Sequence, residues 1–405
     1  MQSVPSPFAQ VEQMPADPIL GLTEAFLKDT SPTRTNLGVG VYQNEQGKVP
    51  VLRAVRAAEQ RLFDRAEPRS YLPIDGLPAY TRLTQELVLG PESPAFTGGR
   101  ACTAQTPGGT GALRIGADFL RRVAPDAAVW MSDPSWENHA PLFAAAGMDV
   151  HLFPYFDGET RGLNFGGMLS AISAIPAGNV ILLQACCHNP TGVDLTAEQW
   201  AQVAALTAER GIIPFVDFAY QGFGGGPGPD RACVEAFEAA GRPFVIASSY
   251  SKSFSIYRER VGALTVVCAD AAEAKRVISL VKRVIRGIYS NPPGFGATIV
   301  AEVLGDAELR ALWLEELDGM RRRILEMRGA LIDALARAGL TEDYSFMLKQ
   351  QGMFSYLGVP ATVAQRMRTE HSVYFLDSSR VCVAALNERN VDHVARALAA
   401  VLTSA

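Results

Sequence analysis

From about residue 50 to 310, stretches with apolar residues at helical spacing alternate with short runs of β-branched and aliphatic residues. The helical stretches fall at 52–65, 111–122, 139–146, 197–210, 234–240 and 271–286, and the apolar runs at 127–131, 150–153, 180–184, 212–216, 244–248 and 263–268. Parallel strands need long crossovers, so this alternation predicts a mostly parallel sheet covered by helices. Before it lie a Pro-, Ser- and Gln-rich stretch that reads as an arm, a short helix at 18–27, and a glycine-broken turn or strand at 36–42. After it come a long helical pattern at 309–338 and strands near 353–357 and 381–384, which predict a second, smaller α+β unit. Arg321-Arg322-Arg323 sits in that long pattern and reads as a solvated helix face.

In an open α/β sheet, ligands gather beyond the carboxyl ends of the strands. Four successive runs lead there into polar and aromatic groups: Asp133-Pro134-Ser135-Trp136-Glu137-Asn138-His139, Cys186-Cys187-His188-Asn189-Pro190-Thr191-Gly192, Asp217-Phe218-Ala219-Tyr220-Gln221-Gly222, and Ser249-Tyr250-Ser251-Lys252-Ser253-Phe254.

Composition removes several classes. The 405 residues carry a formal charge of −5, so no basic field exists to capture nucleic acid or an anionic membrane. No uninterrupted apolar run is long enough to span a bilayer and the first residues lack the plan of a signal peptide, which together predict a soluble, cytoplasmic protein. The 6 Cys show no CxxC spacing and the 5 His no ligand spacing; buried thiols and no metal site are expected. Among 37 basic residues only Lys28, Lys48, Lys252, Lys275, Lys282 and Lys349 are lysines.

Lys252 follows an apolar strand and stands among hydroxyls, where burial lowers the pKa of an amine and favours its neutral, nucleophilic form. Asp217 ends a strongly apolar run, so its carboxylate needs a cationic partner; a helix cap or a local salt bridge is the simpler reading of that residue alone. Thr106-Pro107-Gly108-Gly109-Thr110-Gly111 opens a helix and could hold a phosphate on backbone N–H groups, yet it matches neither the mononucleotide nor the dinucleotide glycine pattern. Gly224-Gly225-Gly226-Pro227-Gly228 has no helix behind it and reads as a flexible loop. One cofactor accounts for the first three features: pyridoxal phosphate requires a Schiff-base lysine, a carboxylate for its pyridine nitrogen and an anion cradle.

The segments Thr106–Leu113, Cys187–Gly192, Asp217–Phe223, Ser249–Lys252 with Arg260-Val261-Gly262, and Tyr289-Ser290-Asn291-Pro292-Pro293 together resemble the class I aspartate and aromatic amino acid aminotransferases, from Asp17-Pro18-Ile19-Leu20 to Arg380. The resemblance implies the type I fold of pyridoxal phosphate-dependent transferases. That is an arm over 1–15, a large α/β domain over 50–310 with a mostly parallel seven-stranded sheet, and a small α+β domain from 16–49 and 311–405. It also implies a homodimer with shared active sites. Lys252 would carry the cofactor and move the proton, Asp217 would pair with the pyridine nitrogen with His139 behind it, and Asn189 and Tyr220 would bond the ring's 3-oxygen. Trp136 would stack on the ring; Gly109, Thr110, Ser249 and Arg260, joined by Tyr71 of a neighbouring subunit, would hold the phosphate. Arg380 would clamp the substrate α-carboxylate, Arg286 from across the dimer would receive a distal carboxylate, and Val39-Gly40 would line the entrance. His188 keeps a packing role. Asp133-Pro134 and Asn189-Pro190 would be cis.

Three departures stand out. Gln184 occupies a place where the family commonly has His, and Lys252–Tyr257 together with Ser135–His139 look like the tyrosine-preferring branch, whereas Val41, Thr110 and Asn291 look like the aspartate branch. The expected activity is therefore transfer of the amino group of aspartate and of aromatic amino acids to 2-oxoglutarate in a ping-pong cycle. The rivals are a lyase or decarboxylase on the same fold, a non-catalytic pyridoxal phosphate-binding module, and a dinucleotide-dependent oxidoreductase.

Overall fold

The computed structural model describes residues 6–14 and 18–404. Residues 1–5 and 15 of the expected arm and Asp17 of its neighbouring motif lie outside that range. Seven strands form the central sheet: β1 (Ala101–Pro107), β2 (Val129–Asp133), β3 (Val150–Pro154), β4 (Val180–Gln184), β5 (Ile213–Phe218), β6 (Phe244–Ser249) and β7 (Val261–Val267), in the spatial order β1-β7-β6-β5-β4-β2-β3. Only β7 runs antiparallel to its neighbours.

The central strands are buried on both faces, and alternate residues point to opposite layers. Val180, Leu182, Phe215 and Val245 pack with Leu113, Ala117 and Leu120 of helix Gly108–Val123. Ile181, Leu183, Val216 and Ile246 face the other way, into a cluster that continues through Ile299 and Val303 to Trp313 and Leu317. Gly116 lets helix and sheet meet: a Cβ there would lie 2.3 Å from the Phe215 ring. Helix Ala197–Arg210 starts on a Thr196/Gln199 capping box and stops at left-handed Gly211, which explains why its bounds were readable in the sequence.

Beyond the sheet, helix Ala307–Arg337 begins where Asp306 accepts the N–H groups of Glu308 and Leu309. It supports two short strand pairs, Thr35–Asn36 beside Val373–Tyr374 and Phe354–Tyr356 beside Arg380–Cys382. The second pair carries Arg380 to the carboxyl edge of the large sheet.

Several expectations need correction. Strand β1 was not anticipated: Ala101–Pro107 mixes Thr and Gln with small residues, and only its pairing with β7 makes it a strand, down to a buried Thr103–Thr265 hydroxyl bond of 2.8 Å. The Arg321–Arg323 run is not uniformly solvated. Arg321 and Arg322 do pair with Asp318, but Arg323 is nearly buried, donates to the carbonyls of Gln43 and Leu386, and pairs with Glu45, tying the N-terminal segment to the C-terminal one. The glycine run after Phe223 is not a loose loop either. The N–H groups of Gly222, Gly224 and Gly225 close on the Asp230 carboxylate at 2.7, 3.1 and 2.6 Å, and burial nevertheless raises the pKa of that carboxyl.

Backbone proximity is tightest where β7 passes the start of helix Gly108–Val123. A Cβ on Gly262 would stand 2.4 Å from the Gly108 carbonyl carbon and 2.6 Å from its oxygen, and backbone cannot rotate away as a side chain can. Gly262→Ala is expected to lower the unfolding free energy by about 1–3 kcal/mol, as overpacking does. Urea unfolding measures this, and an unchanged midpoint would show that the glycine is dispensable.

Candidate active site

The carboxyl ends of β2, β4, β5 and β6 open on a cavity of about 220 Å³, lined by Gly40, Gly109, Thr110, Trp136, Gln184, Asn189, Asp217, Tyr220, Ser249, Lys252, Arg260 and Arg380 among others. Of the residues expected to contact cofactor or substrate, Gly40, Gly109, Thr110, Trp136, Asn189, Asp217, Tyr220, Ser249, Lys252, Arg260 and Arg380 meet here, whereas Val39, Tyr71 and Arg286 are not part of the lining and His139 lies behind Asp217. Asp133-Pro134 and Asn189-Pro190 are both cis.

Asp217 is the last charged residue of β5 and only 7% exposed. Its Oδ2 sits 2.9 Å from Nε2 of the fully buried His139, whose Nδ1 lies 2.8 Å from the Ser135 hydroxyl. Its Oδ1 is buried with no hydrogen-bond partner. A carboxylate oxygen left bare in a closed site is costly, so this atom is a waiting acceptor for a donor carried by a ligand. Trp136 meets His139 edge-on at 5.2 Å, fixing the imidazole from the cavity side.

Lys252 follows β6 and keeps only the surface that faces the cavity. Desolvation lowers its pKa to about 8, helped by the positive charges of Arg260 and Arg380 and opposed by Asp217. Its Nζ lies 4.2 Å from the centre of the Tyr220 ring. Burial also raises the Tyr220 phenol well above the usual tyrosine range.

At one end of the cavity the N-terminus of helix Gly108–Val123 meets Ser249, Ser251 and Arg260. Gly108 is left-handed, and a Cβ on it would fall 2.5 Å from Arg260 Nη2; a Cβ on Gly109 would be 3.1 Å from Ser249 Cβ. Unpaired N–H groups, two hydroxyls and a guanidinium form an anion cradle. At the other end lies Arg380, 1% exposed, donating from Nη1 to Asn189 Oδ1 at 2.9 Å and from Nη2 to the Gly38 carbonyl at 2.7 Å, with its plane 4.2 Å from the Phe354 ring centre. Nε of Arg380 is buried without a partner. Gly40 admits Phe354, since a Cβ there would lie 2.7 Å from its ring.

Gln184 does not take part in the Asp217 network. Its amide is used on the backbone of Asn189, accepting from N and donating to O at 2.9 Å each, so His139 is left as the side chain bonded to Asp217. His188 is held between Ser132 and Thr191 at 2.9 and 2.8 Å and stacks on Tyr155 at 4.0 Å. The sequence reading passed over Asp194, whose carboxylate accepts from the N–H groups of Cys187 and His188, shaping the loop that presents Asn189. No cluster able to bind a metal exists among the described residues.

Tyr71 and Arg286 lie elsewhere. Tyr71, 90% exposed, lines an open groove of about 1350 Å³ with Phe63, Asn291, Pro292 and Phe295, and the exposed Arg286 hydrogen-bonds Ser290. The larger space is an open groove lined by apolar and charged side chains alike; the buried carboxylate, amine and guanidinium converge on the smaller one.

The family model for aminotransferase class I and II matches residues 32–398. The chain is 51% identical to the aspartate aminotransferase of Pseudomonas aeruginosa over 98% of its own length and 99% of the relative's. It superposes with a TM-score of 0.96 and 54% identity on the aromatic-amino-acid aminotransferase of Burkholderia pseudomallei, a structure with pyridoxal phosphate covalently bound, covering 98% of this chain and 100% of that one. It superposes with a TM-score of 0.95 and 41% identity on the aromatic aminotransferase of Psychrobacter sp. B6 crystallised with aspartic acid, covering 98% and 99%. The chain belongs to the class I and II aminotransferases, in their aspartate and aromatic-amino-acid branch.

The histidine behind the site has a measurable consequence. Burial and the neighbouring His139 lower the His188 pKa from 6.5 to about 3. A folded-state pKa below the unfolded one gives stability that is full above pH 6.5 and is lost as pH falls toward 3, by up to about 1.4 kcal/mol per pH unit. Asp194, raised to about 6 by burial, works in the opposite sense, so the contribution is read as a difference. Wild type should lose more stability than His188→Gln between pH 6.5 and 4.5 in urea unfolding; parallel curves would mean that His188 titrates normally.

Proposed function

We propose that the protein is a pyridoxal phosphate-dependent aminotransferase that moves the amino group of aspartate and of aromatic amino acids to 2-oxoglutarate. The observation that carries this reading is the bare Asp217 Oδ1 in the same closed cavity as an amine of pKa about 8 and an anion cradle. Those three features match the three ends of one cofactor: ring nitrogen, aldehyde and phosphate. When bound, pyridoxal phosphate supplies a carbonyl carbon for the amino group and an electron-poor ring that stabilises negative charge beside it.

The protein's own groups do the rest. Asp217, backed by His139, would accept the ring N–H and keep that nitrogen protonated. Gly109, Thr110, Ser249 and Arg260 would hold the phosphate, Trp136 would lie against the ring, and Asn189 and Tyr220 would bond its 3-oxygen. Lys252 is partly neutral near pH 7.5, so its Nζ would hold the cofactor at its carbonyl carbon, the carbonyl oxygen leaving as water, and, once freed by an incoming amine, would carry a proton to and from the substrate Cα. Arg380 binds the α-carboxylate in the fork geometry that guanidinium provides, and Val39-Gly40 line the entrance. Holding the carboxylate rather than expelling it favours transamination over decarboxylation. A dinucleotide role would leave Lys252 without a task, and a non-catalytic module would not need a depressed amine pKa.

Tyr71 and Arg286 belong, in this reading, to the active site of a second copy, with the exposed Tyr71 groove forming part of the homodimer contact. Arg286 then receives a distal carboxylate and swings aside for an aromatic ring. Residues 50–310 act as the large domain and 16–49 with 311–405 as the small one. The six described cysteines are free and buried, in keeping with a reducing, cytoplasmic setting.

Cofactor loading and steady-state turnover both test the assignment. Lys252→Ala should abolish transamination and the pH-sensitive visible absorbance of the holoenzyme, while the rate at which the cofactor-free wild type takes up pyridoxal phosphate should rise through a midpoint near pH 8, because the attacking amine must be deprotonated. A colourless wild type that binds no pyridoxal phosphate would overturn the proposal. Steady-state assays should find turnover of both aspartate and phenylalanine, with Arg286→Leu lowering kcat/KM for aspartate roughly a hundredfold and sparing phenylalanine. Negligible wild-type turnover of either donor, or a fully active monomer, would contradict the dual specificity or the shared site respectively.

A further inference from the structure

The mechanism above leaves one acidic group in the active site unused. Glu137, between Trp136 and Asn138, turns its carboxylate toward the clamp: Oε2 lies 3.7 Å from Arg380 Nη1. That oxygen is shut off from solvent and has no hydrogen-bond partner, and Nε of Arg380 is likewise buried and bare. The other contacts of the guanidinium are neutral acceptors, Asn189 Oδ1 and the Gly38 carbonyl, and the face of Phe354.

A guanidinium 1% exposed needs a compensating charge. Glu137 provides one at a distance too long for a hydrogen bond, so it balances the charge without occupying the donors of Arg380. A substrate carboxylate would take those donors and at the same moment bring a second negative charge against the first. Resting on the proposed role of Arg380, we propose that Glu137 is the resident counter-charge of the empty clamp and that substrate carboxylates bind in competition with it. Glu137 thereby lowers the affinity for amino acid and 2-oxo acid alike, and speeds release of the 2-oxo acid product that must leave before the second substrate enters.

The test uses the holoenzyme and two unreactive ligands, the monocarboxylate 3-phenylpropionate and the dicarboxylate succinate, with dissociation constants from absorbance titrations. Glu137→Gln should tighten both by a similar factor, about three- to tenfold. Glu137→Ala should do the same despite its lost volume, and a gain of affinity is not what general damage to the fold produces. Arg380→Ala should weaken both ligands. If Arg380→Ala has no effect, the clamp assignment fails and the inference with it. If Arg380→Ala weakens binding while both Glu137 variants leave it unchanged or weaker, the clamp stands and the inference is overturned. Tightening of succinate alone would place Glu137 against the distal carboxylate, and that result also overturns the inference.

Discussion

The buried carboxylate of Asp217 is the constraint around which the site is built. A carboxylate at the end of an apolar strand, 7% exposed, has lost its water and needs donors in its place. The protein compensates one oxygen only, through His139 and, behind it, Ser135, and leaves the other bare. A buried acceptor without a partner is costly, and a ring N–H on the cofactor would complete the set. The Gln184 side chain could reach toward this end of the sheet, being opposite Asp217 in register, yet both its polar atoms are spent on Asn189.

Backbone packing decides where the cofactor's two ends can go. Gly262 lets β7 press against the Gly108 carbonyl, which fixes the start of helix Gly108–Val123 relative to Ser249 and Arg260. The anion cradle is thus a product of strand order: β7, the one antiparallel strand, stands between β1, whose end becomes the helix start, and β6, whose end carries Ser249 and then Lys252. Arg380 approaches from the opposite side on its own short strand pair, so the α-carboxylate clamp and the cofactor cradle sit on different parts of the fold.

Much of this was legible because apolar periodicity and strand ends are local properties. Strands β4 and β5 and helix Ala197–Arg210 emerge from runs that are apolar on both faces or capped by recognisable residues, and the polar segments after them form the cavity wall. Strand β1 was not legible, since Thr103 and Gln105 look like loop residues until Thr265 and the Gly76–Leu77 turn satisfy them. The ordered carboxylate nest around Asp230 was hidden for a related reason: glycine repeats look alike whether or not an anion closes them. Arg323 and Asp194 depend on partners far away in sequence or on backbone N–H groups, which no residue pattern announces. Tyr71 and Arg286 could be linked to the site only by resemblance, because a single chain does not bring them there.

Local and global charge point in opposite directions in this protein. The chain as a whole carries −5 and offers no attraction to anions at a distance. Inside the cavity Lys252, Arg260 and Arg380 face Asp217, with Glu137 beside the last arginine. Low-dielectric walls make that small cationic excess count for more than the distant surface acids, which water screens. The two acids inside are arranged to opposite effect. Asp217 leaves one oxygen bare toward the cavity, where on the proposed reading a ligand's donor would meet it, whereas Glu137 stands 3.7 Å from an arginine that the ligand's carboxylate would claim. On the proposed reading, a site built this way would hold an anionic cofactor through hydrogen bonds and helix N–H groups, yet keep its grip on carboxylates weak enough for both half-reactions to share one clamp.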